Sequence, residues 1–135
     1  MDSFFNPKRF LQIGGLLLVL VGILGFVGVL GPTPAKSIFH DKWYFDNLEN
    51  WAHTVLGIAG IFSAFVLTPM LRKYLVLLLG IIGLIVGIYG FLVSPIFLGA
   101  NLENPADNIL HLVIAAWAFY SAMHQESGVS YQTLT

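Results

Sequence analysis

Four long apolar stretches dominate this chain and leave few folds open to it. Each has roughly the 20 residues that an α-helix needs to cross a hydrocarbon core. The stretches run approximately over residues 10–31, 47–69, 74–94 and 107–124. Because each run is continuous and does not alternate in polarity, helices are favoured over the strands of a membrane barrel. The sequence therefore predicts an all-α integral membrane four-helix bundle, with residues 1–135 forming a single domain.

The composition supports a membrane protein and excludes several other classes. Hydrophobic residues make up 57% of the chain and charged residues only 10%, whereas soluble domains carry about 25% charged residues. Six Lys and Arg stand against seven Asp and Glu, and no basic patch is present to hold nucleic acid. Cysteine is absent, which excludes disulfides and thiolate metal sites. We expect the lipid bilayer to be a partner and nucleic acid not to be one.

Basic residues indicate the orientation of the bundle. The N-terminus and the second loop carry Lys8, Arg9, Arg72 and Lys73, and only two lysines lie in the other loops. Because Lys and Arg accumulate in cytoplasmic loops, both termini and the polar tail 125–135 are predicted to be cytoplasmic. We expect the protein to lie in a bacterial inner membrane. Trp43 and Tyr44 are interpreted as aromatic anchors at the opposite membrane interface.

The chain repeats itself at an offset of 58 residues. The shift aligns Glu49-Asn50-x-x-His53 with Asp107-Asn108-x-x-His111, and Gly22 and Gly25 with Gly80 and Gly83. Chance similarity of apolar segments would not align the polar positions as well. Repeat one covers about 10–64 and repeat two about 68–122, and each is a transmembrane helical hairpin. A tandem duplication with a pseudo-two-fold axis along the membrane normal is therefore predicted.

The polar motif has the spacing of a helix start. Asp46 precedes Glu49 by three residues, and Asn104 precedes Asp107 by three with a proline between them. Both spacings fit a capping residue followed by an acid at the third helical position. Asp46, Asn104 and the two asparagines Asn50 and Asn108 are therefore predicted to form a structural motif that begins the second and fourth helices.

Each motif also places a histidine four residues after its acid. His53 and His111 then lie on the same helix face as Glu49 and Asp107, within reach of their carboxylates. Small residues follow on that face, and a stripe of small residues allows close helix packing or leaves a groove. One interpretation is structural, with each imidazole bonding its own acid or a neighbouring helix and pinning the hairpins together.

The other interpretation is that the imidazoles are ligands. A divalent metal such as zinc would be held by His53 and His111, with Glu49 and Asp107 as further ligands. A tetrapyrrole, either haem or a chlorophyll-type pigment, would instead be held by the histidines alone. Gly57 and Ala115, one turn further along each helix, would make room for the flat ring. The sequence therefore does not distinguish a divalent metal from haem or a chlorophyll-type pigment.

The two acidic-Asn-x-x-His motifs also carry a family resemblance. The chain resembles a family of small bacterial four-helix membrane proteins of unknown function, which has this signature at the start of its second and fourth helices. The resemblance covers nearly the whole chain, from the first helix to the fourth. It implies the fold and the importance of the motif, and it implies no activity, substrate or cofactor.

Two classes of function follow from these features. The first is a non-enzymatic scaffold or accessory subunit, with other membrane subunits or further copies of itself as partners. The alternative is a small transporter or channel for ions, protons or metals, whose pathway passes the paired acids and histidines. We expect no enzymatic activity, because the chain offers neither a nucleophile beside a base nor a phosphate-binding loop.

Overall fold

Four α-helices make up most of the structure. A computed structural model of the protein describes residues 4–124 and Glu126, so the predicted tail 125–135 lies outside the described residues except at Glu126. The helices are α1 (Pro7–Phe26), α2 (Asn47–Val66), α3 (Pro69–Leu92) and α4 (Ala106–Met123). The all-helical class is thereby confirmed. A small antiparallel hairpin, β1 (Ile96–Phe97) with β2 (Ala100–Asn101), was not predicted.

Two helices begin earlier than hydropathy predicts, because their first turns are set by capping residues. Asn6 Oδ1 accepts a hydrogen bond from the Arg9 amide at 2.9 Å, and α1 begins at Pro7. Thr68 Oγ1 accepts from the Leu71 amide, and α3 begins at Pro69 directly after the short turn that ends α2. Proline favours the first helical position, where its missing N–H leaves no bond unmade.

Two of the four helices, α1 and α3, are long and apolar enough to cross a membrane. Helices α2 and α4 are not apolar enough to meet the same criterion of length and mean hydropathy. Both open with polar residues from the two motifs, which lower their mean hydropathy, and α4 is the shortest helix with 18 residues. By length and composition, two of the four predicted spans are thus candidates for crossing a membrane.

The helices form two hairpins that meet mainly through α1. Helix α1 packs along α2, and α3 packs along α4, while α1 also contacts both α3 and α4. A small apolar core lies where the hairpins meet, formed by Phe10, Leu11, Ala64, Val76, Ala118 and Ala122. Alanine at three of these positions lets the helix backbones approach closely.

The two ends of the bundle are built differently. We call the end that carries residues 27–46 and 93–105 the loop end. Two short 3₁₀ turns, Pro34–Lys36 and His40–Lys42, and the β-hairpin lie there. We call the opposite end the turn end, because only residues 67 and 68 separate α2 from α3.

A buried arginine organises the turn end. Arg72 of α3 forms a two-pronged ion pair with Glu126, in which Arg72 Nε donates to Glu126 Oε1 at 2.8 Å. Its Nη1 also donates to the carbonyl oxygens of Ala64 and Leu67 at the end of α2. Those carbonyls have no partner within their own helix, so Arg72 caps α2 as well as holding the chain after α4.

Candidate functional site

The first motif starts α2 with a reciprocal capping box. Asp46 Oδ1 accepts from the Glu49 amide at 2.9 Å, and Glu49 Oε2 accepts from the Asp46 amide at the same distance. Glu49 is nevertheless buried. This is the arrangement that the three-residue spacing of the two acids predicts, and it satisfies two backbone donors at the start of the helix.

The second motif starts α4 in a different way. The residue before the helix is Pro105, and it makes no side-chain cap. Asn104 is therefore not the helix cap that the sequence predicted, because the helix begins one residue too late for it; it lies exposed in the preceding loop. Asp107 still reaches back, since its Oδ2 accepts from the Glu103 amide at 2.9 Å.

Asp46 and Asp107, which lie at the starts of α2 and α4, also join the hairpins to each other at the loop end. Trp43, in the first loop, donates from Nε1 to Oδ1 of Asp107 at 2.6 Å. In the reverse direction, the Asn101 amide in the loop between α3 and α4 donates to Oδ2 of Asp46 at 2.9 Å. A third link runs from Asn101 Nδ2 to the Tyr44 hydroxyl at 3.2 Å. Asp107 and the capping residue Asp46 therefore each bond to the other hairpin, whereas Glu49 bonds to the Asp46 amide within its own hairpin.

Trp43 and Tyr44 have a role at the loop end that was not predicted from the sequence. Both side chains are partly exposed and both bond across the loop end. Their position as aromatic anchors in the membrane interface stays a prediction. Sequence reasoning also missed Asn101 and Glu103 as members of the site. One sequence signal could have indicated them: polar side chains in the two loops, Trp43 and Tyr44 before the first motif and Asn101 and Glu103 before the second.

The motif asparagines pack into glycine backbones of their own hairpins. Asn50 and Asn108 are both fully buried. A Cβ added at Gly25 would overlap the amide of Asn50, and one added at Gly90 would overlap the amide of Asn108. Each Oδ1 therefore lies over a glycine Cα, where a weak Cα–H···O contact can form. Asn50 Nδ2 also donates to the Phe45 carbonyl at 3.1 Å.

The glycine contacts have a different register from the sequence alignment. The shift of 58 residues aligned Gly25 with Gly83, but the glycine that contacts Asn108 is Gly90, seven residues later. Seven residues correspond to about two helical turns. The difference arises because α3 is longer than α1, with 24 residues against 20, and the loop that follows α3 is shorter than the loop after α1.

The histidines do not bond the carboxylates of their own motifs. His111 Nδ1 donates to the backbone oxygen of Asp107 at 2.7 Å. His53 contacts the edge of the Phe45 ring, with the ring centroids 5.2 Å apart, and its buried Nδ1 has no hydrogen-bond partner among the described residues. The predicted carboxylate–imidazole bond is therefore wrong. Side chains lean toward the N-terminus of a helix, and there the carboxylates meet free backbone donors.

The two motifs nevertheless converge. His53 lies close enough to His111, Asp107 and Asp46 for their charges to act on it. Charge interactions likewise connect Glu49 to Asp46, Glu103 and Asp107. The ionisable groups of both repeats therefore share one region at the loop end.

The space assigned to a cofactor ring is occupied by neighbouring helices. A Cβ added at Gly57 would lie 2.6 Å from the Gly15 carbonyl oxygen of α1, so the two backbones touch there. Ala115 packs against Gly83 of α3, 3.5 Å from where a Cβ would stand on that glycine. Gly57 and Ala115 thus serve helix packing within each hairpin.

The four predicted metal ligands are not gathered around one point. Among residues 4–124 and Glu126, no three His, Asp or Glu side chains are placed so that they could hold a metal ion. Glu49 and Asp107 are instead engaged in the bonds described above. His53, His111, Glu49 and Asp107 therefore share an electrostatic environment without surrounding a common point.

A cleft of about 420 Å³ opens at the loop end beside these groups. Its polar lining residues are Asp41, Lys42, Tyr44, Asn101, Glu103 and Asn104. Glu103 is 7% exposed, and its Oε1 accepts from Asn101 Nδ2. Burial, followed by the nearby Asp107, raises the pKa of Glu103 to about 8. The pKa of the Tyr44 hydroxyl is also raised, by burial first and then by the negative charge of Glu103.

Comparison with known protein families, with curated proteins and with solved structures finds no match to this chain. The resemblance to a four-helix membrane family therefore stays a prediction that rests on the two motifs.

Proposed function

We propose that the protein is a non-enzymatic integral membrane component, a small scaffold or accessory subunit, whose two motifs fasten its hairpins together. One observation carries the proposal: Asp107 in the first turn of α4 and the capping residue Asp46 of α2 are each bonded to the loop of the other hairpin, through Trp43–Asp107 and Asn101–Asp46. The carboxylates of Asp46 and Asp107, which could have bound a ligand, therefore hold the two hairpins together instead. Interhelical polar bonds are a common means of holding membrane bundles together.

The exposed surface supports insertion in a bilayer. Most residues in the apolar windows of α1 and α3 are not buried, with only 28% and 33% of them inside the fold. All four helices expose large apolar side chains, among them Leu16, Leu20, Trp51, Phe62, Leu78, Ile85, Ile109 and Val113. A soluble monomer rarely exposes contiguous apolar surface on this scale. Lipid, or the helices of other subunits, would cover these side chains.

The same surface supports four spanning helices rather than two. Helices α2 and α4 have 20 and 18 residues, pack along α1 and α3, and expose apolar side chains beyond their polar first turns. The turn end carries Arg9, Arg72 and Lys73 and would face the cytoplasm. The loop end, with its acids, would then face the opposite side of the membrane.

A tandem duplication is supported by the equivalent contacts of the two hairpins. Asn50 on Gly25 and Asn108 on Gly90 are the same contact made twice. In both repeats the acid also reaches back to a backbone amide three or four residues earlier. The two hairpins would then be related by an axis along the membrane normal.

Membrane extraction followed by purification tests the proposal. We expect tagged protein to stay in the membrane pellet after alkaline carbonate treatment. After mild extraction, we expect it to purify as a particle that contains other membrane subunits or further copies of the chain. An absorption spectrum and elemental analysis of the same particle test the structural role of the histidines, for which we expect neither a haem band nor stoichiometric zinc.

Two results would contradict the proposal. Release of the protein by carbonate would remove the membrane assignment. A stoichiometric pigment or metal that is lost in the double variant His53→Ala, His111→Ala would replace the fastening role by a ligand role. Flux of protons or metal ions through proteoliposomes that is abolished by the same double variant would favour a transporter.

A further inference from the structure

The cleft at the loop end has the size and the walls of a site for a small molecule. Its volume of about 420 Å³ lies within the usual range of ligand pockets, roughly 300–1,000 Å³. Pro34, Pro95 and Leu102 form apolar walls, and Tyr44 adds an aromatic one. The cleft lies between the two hairpins, since Pro34 and Tyr44 come from the loop between α1 and α2 and Leu102 from the loop between α3 and α4.

One oxygen of a buried carboxyl group at this cleft has no partner. Glu103 lines the cleft and is more than nine-tenths buried. Its Oε1 accepts from Asn101 Nδ2, whereas its Oε2 has no hydrogen-bond donor among the described residues. A buried acceptor left without a donor is energetically unfavourable. Glu103 is therefore the carboxyl of this cleft that has an acceptor to spare, and a ligand donor that reaches Oε2 would satisfy it.

The charges around Glu103 favour a cationic donor. Glu103 and Asp46 lie within electrostatic range of Glu49, as does Asp107. The ion pair found among the described residues, Arg72–Glu126, lies at the turn end. Within that part of the chain, Lys and Arg therefore pair with none of the four acids at the loop end, which are Glu103, Asp46, Glu49 and Asp107. Buried acids without a paired base hold a proton near neutral pH, and an ammonium bound at Glu103 would take the place of that proton as the compensating positive charge.

An ammonium group fits the cleft better than a metal ion does. Calcium takes six to eight oxygen ligands and magnesium needs near-octahedral geometry, and no three acidic or histidine side chains of the described residues meet that need. An ammonium can instead donate to Glu103 and lie against the Tyr44 ring. Lys42 lines the same cleft and is exposed, so it could meet an anion a few atoms away from the ammonium.

We infer that this cleft binds a zwitterionic primary amine, with the ammonium on the Glu103 carboxyl and a phosphate or similar anion at Lys42. Two sources offer this chemistry. One is the phosphoethanolamine headgroup of a lipid, because the loop end would lie at the membrane interface. The other is a free phosphoethanolamine-like molecule in the surrounding solution. The lipid source depends on the proposed membrane insertion, whereas the soluble source does not.

Competition between lipid headgroups tests the inference. Protein purified in detergent is mixed with equal amounts of phosphatidylethanolamine, phosphatidylcholine and phosphatidylglycerol, and bound lipid is measured by native mass spectrometry. We expect phosphatidylethanolamine to bind at least about tenfold better than phosphatidylcholine, because a trimethylated nitrogen cannot donate to Glu103. Soluble phosphoethanolamine is titrated by calorimetry in parallel.

Two variants and one control locate the site. Glu103→Gln keeps the shape and the acceptor for Asn101, and we expect it to weaken amine binding at least about tenfold. Lys42→Gln lies on the exposed rim, and we expect severalfold weaker binding with an unchanged melting temperature. Lys36→Gln removes a lysine from the same loop that does not line the cleft, and we expect it to bind as the unaltered chain does.

Each outcome is decisive for the inference. Binding of soluble phosphoethanolamine as tight as that of the lipid identifies a free amine, and binding of the lipid alone identifies the headgroup. Equal binding of phosphatidylethanolamine and phosphatidylcholine, or unchanged binding in a folded Glu103→Gln variant, would overturn the inference and leave a water as the partner of Glu103. A carbonate-extractable protein that still binds the soluble amine would overturn the membrane proposal and not this one.

Discussion

The indole of Trp43 and the carboxylate of Asp107 form a hydrogen bond of 2.6 Å that joins the first hairpin to the second. Asp107 is fully buried, and its second oxygen accepts from the Glu103 amide of its own hairpin. Among the described residues no Lys or Arg pairs with this carboxylate. Two neutral N–H donors, one from each hairpin, therefore stabilise a buried acid at the point where the two halves of the protein meet.

Removing the indole N–H tests how much this bond stabilises the fold. Trp43→Phe keeps an aromatic ring but takes one donor from a buried carboxylate. We expect the free energy of unfolding to fall by about 1.5–3 kcal/mol, the range for hydrogen bonds to charged groups. Denaturant unfolding in detergent micelles measures it. Trp51→Phe is the matched control, because Trp51 is 61% exposed, and a change of equal size there would contradict the fastening role.

The contact between Gly25 and Asn50 predicts a steric effect. An added methyl group at Gly25 would overlap the Asn50 amide, so we expect Gly25→Ala to destabilise the protein by about 1–3 kcal/mol. Gly14→Ala is the control on the same helix, because its nearest new contact is the Trp117 ring at 3.8 Å. There we expect a gain of about 0.4–1 kcal/mol from the lower entropy of the unfolded chain.

A double variant separates the clash from helix propensity. Asn50→Ala removes the amide that Gly25→Ala would meet. If the packing is as described, the two changes together cost less than the sum of their separate effects. Strictly additive losses in thermal or denaturant unfolding would show that the methyl group and the amide do not meet.

The ion pair at the turn end predicts an unequal effect of its two partners. Arg72→Met would leave Glu126 buried without its base and the last carbonyls of α2 without their donor. We expect a loss of about 3–5 kcal/mol, the range for breaking a buried pair. Glu126→Gln is expected to cost less, since Arg72 keeps its carbonyl partners. Arg9→Met, whose hydrogen bond to Gln12 is exposed, is the control, and a larger effect of Glu126→Gln than of Arg72→Met would refute the capping role.

The raised pKa of Glu103 predicts a pH dependence of stability. Burial, and then Asp107, raises the pKa of Glu103 from 4.5 to about 8, so the folded chain holds a proton that the unfolded chain releases. The stability linked to this proton is fully present below pH 4.5 and is lost as the pH rises toward about 8. One proton gives a slope of at most about 1.4 kcal/mol per pH unit.

The variant Glu103→Gln isolates this effect, because its amide does not titrate. We expect its unfolding free energy, measured at pH values of about 5, 6.5 and 8, to fall less steeply than that of the unaltered chain. The difference between the two curves of unfolding free energy against pH measures the titration of Glu103 alone, because the other acids are present in both proteins. Parallel curves would show that Glu103 titrates near its ordinary pKa.

Much of the helical structure was readable from local sequence. The apolar runs located all four helices, and the spacing of Asp46 and Glu49 predicted the capping box that starts α2. These features are local, since a helix turn and its cap involve residues within four positions of each other. The start of α1 at Pro7 was missed because the signal there was a capping asparagine before a proline and not hydropathy.

The partners of the motif side chains were decided by tertiary structure. The spacing of Asp107 and His111 allowed a carboxylate–imidazole bond, but the carboxylate bonds to Trp43, which is 64 residues away in the sequence. The two-turn shift that pairs Asn108 with Gly90 likewise depends on how far α3 extends before it turns. The sequence by itself determined where helices begin and which faces are apolar, because those properties repeat over a few residues. Only the placement of one hairpin against the other determined which polar groups meet, because that placement depends on loop length and helix packing across the whole chain.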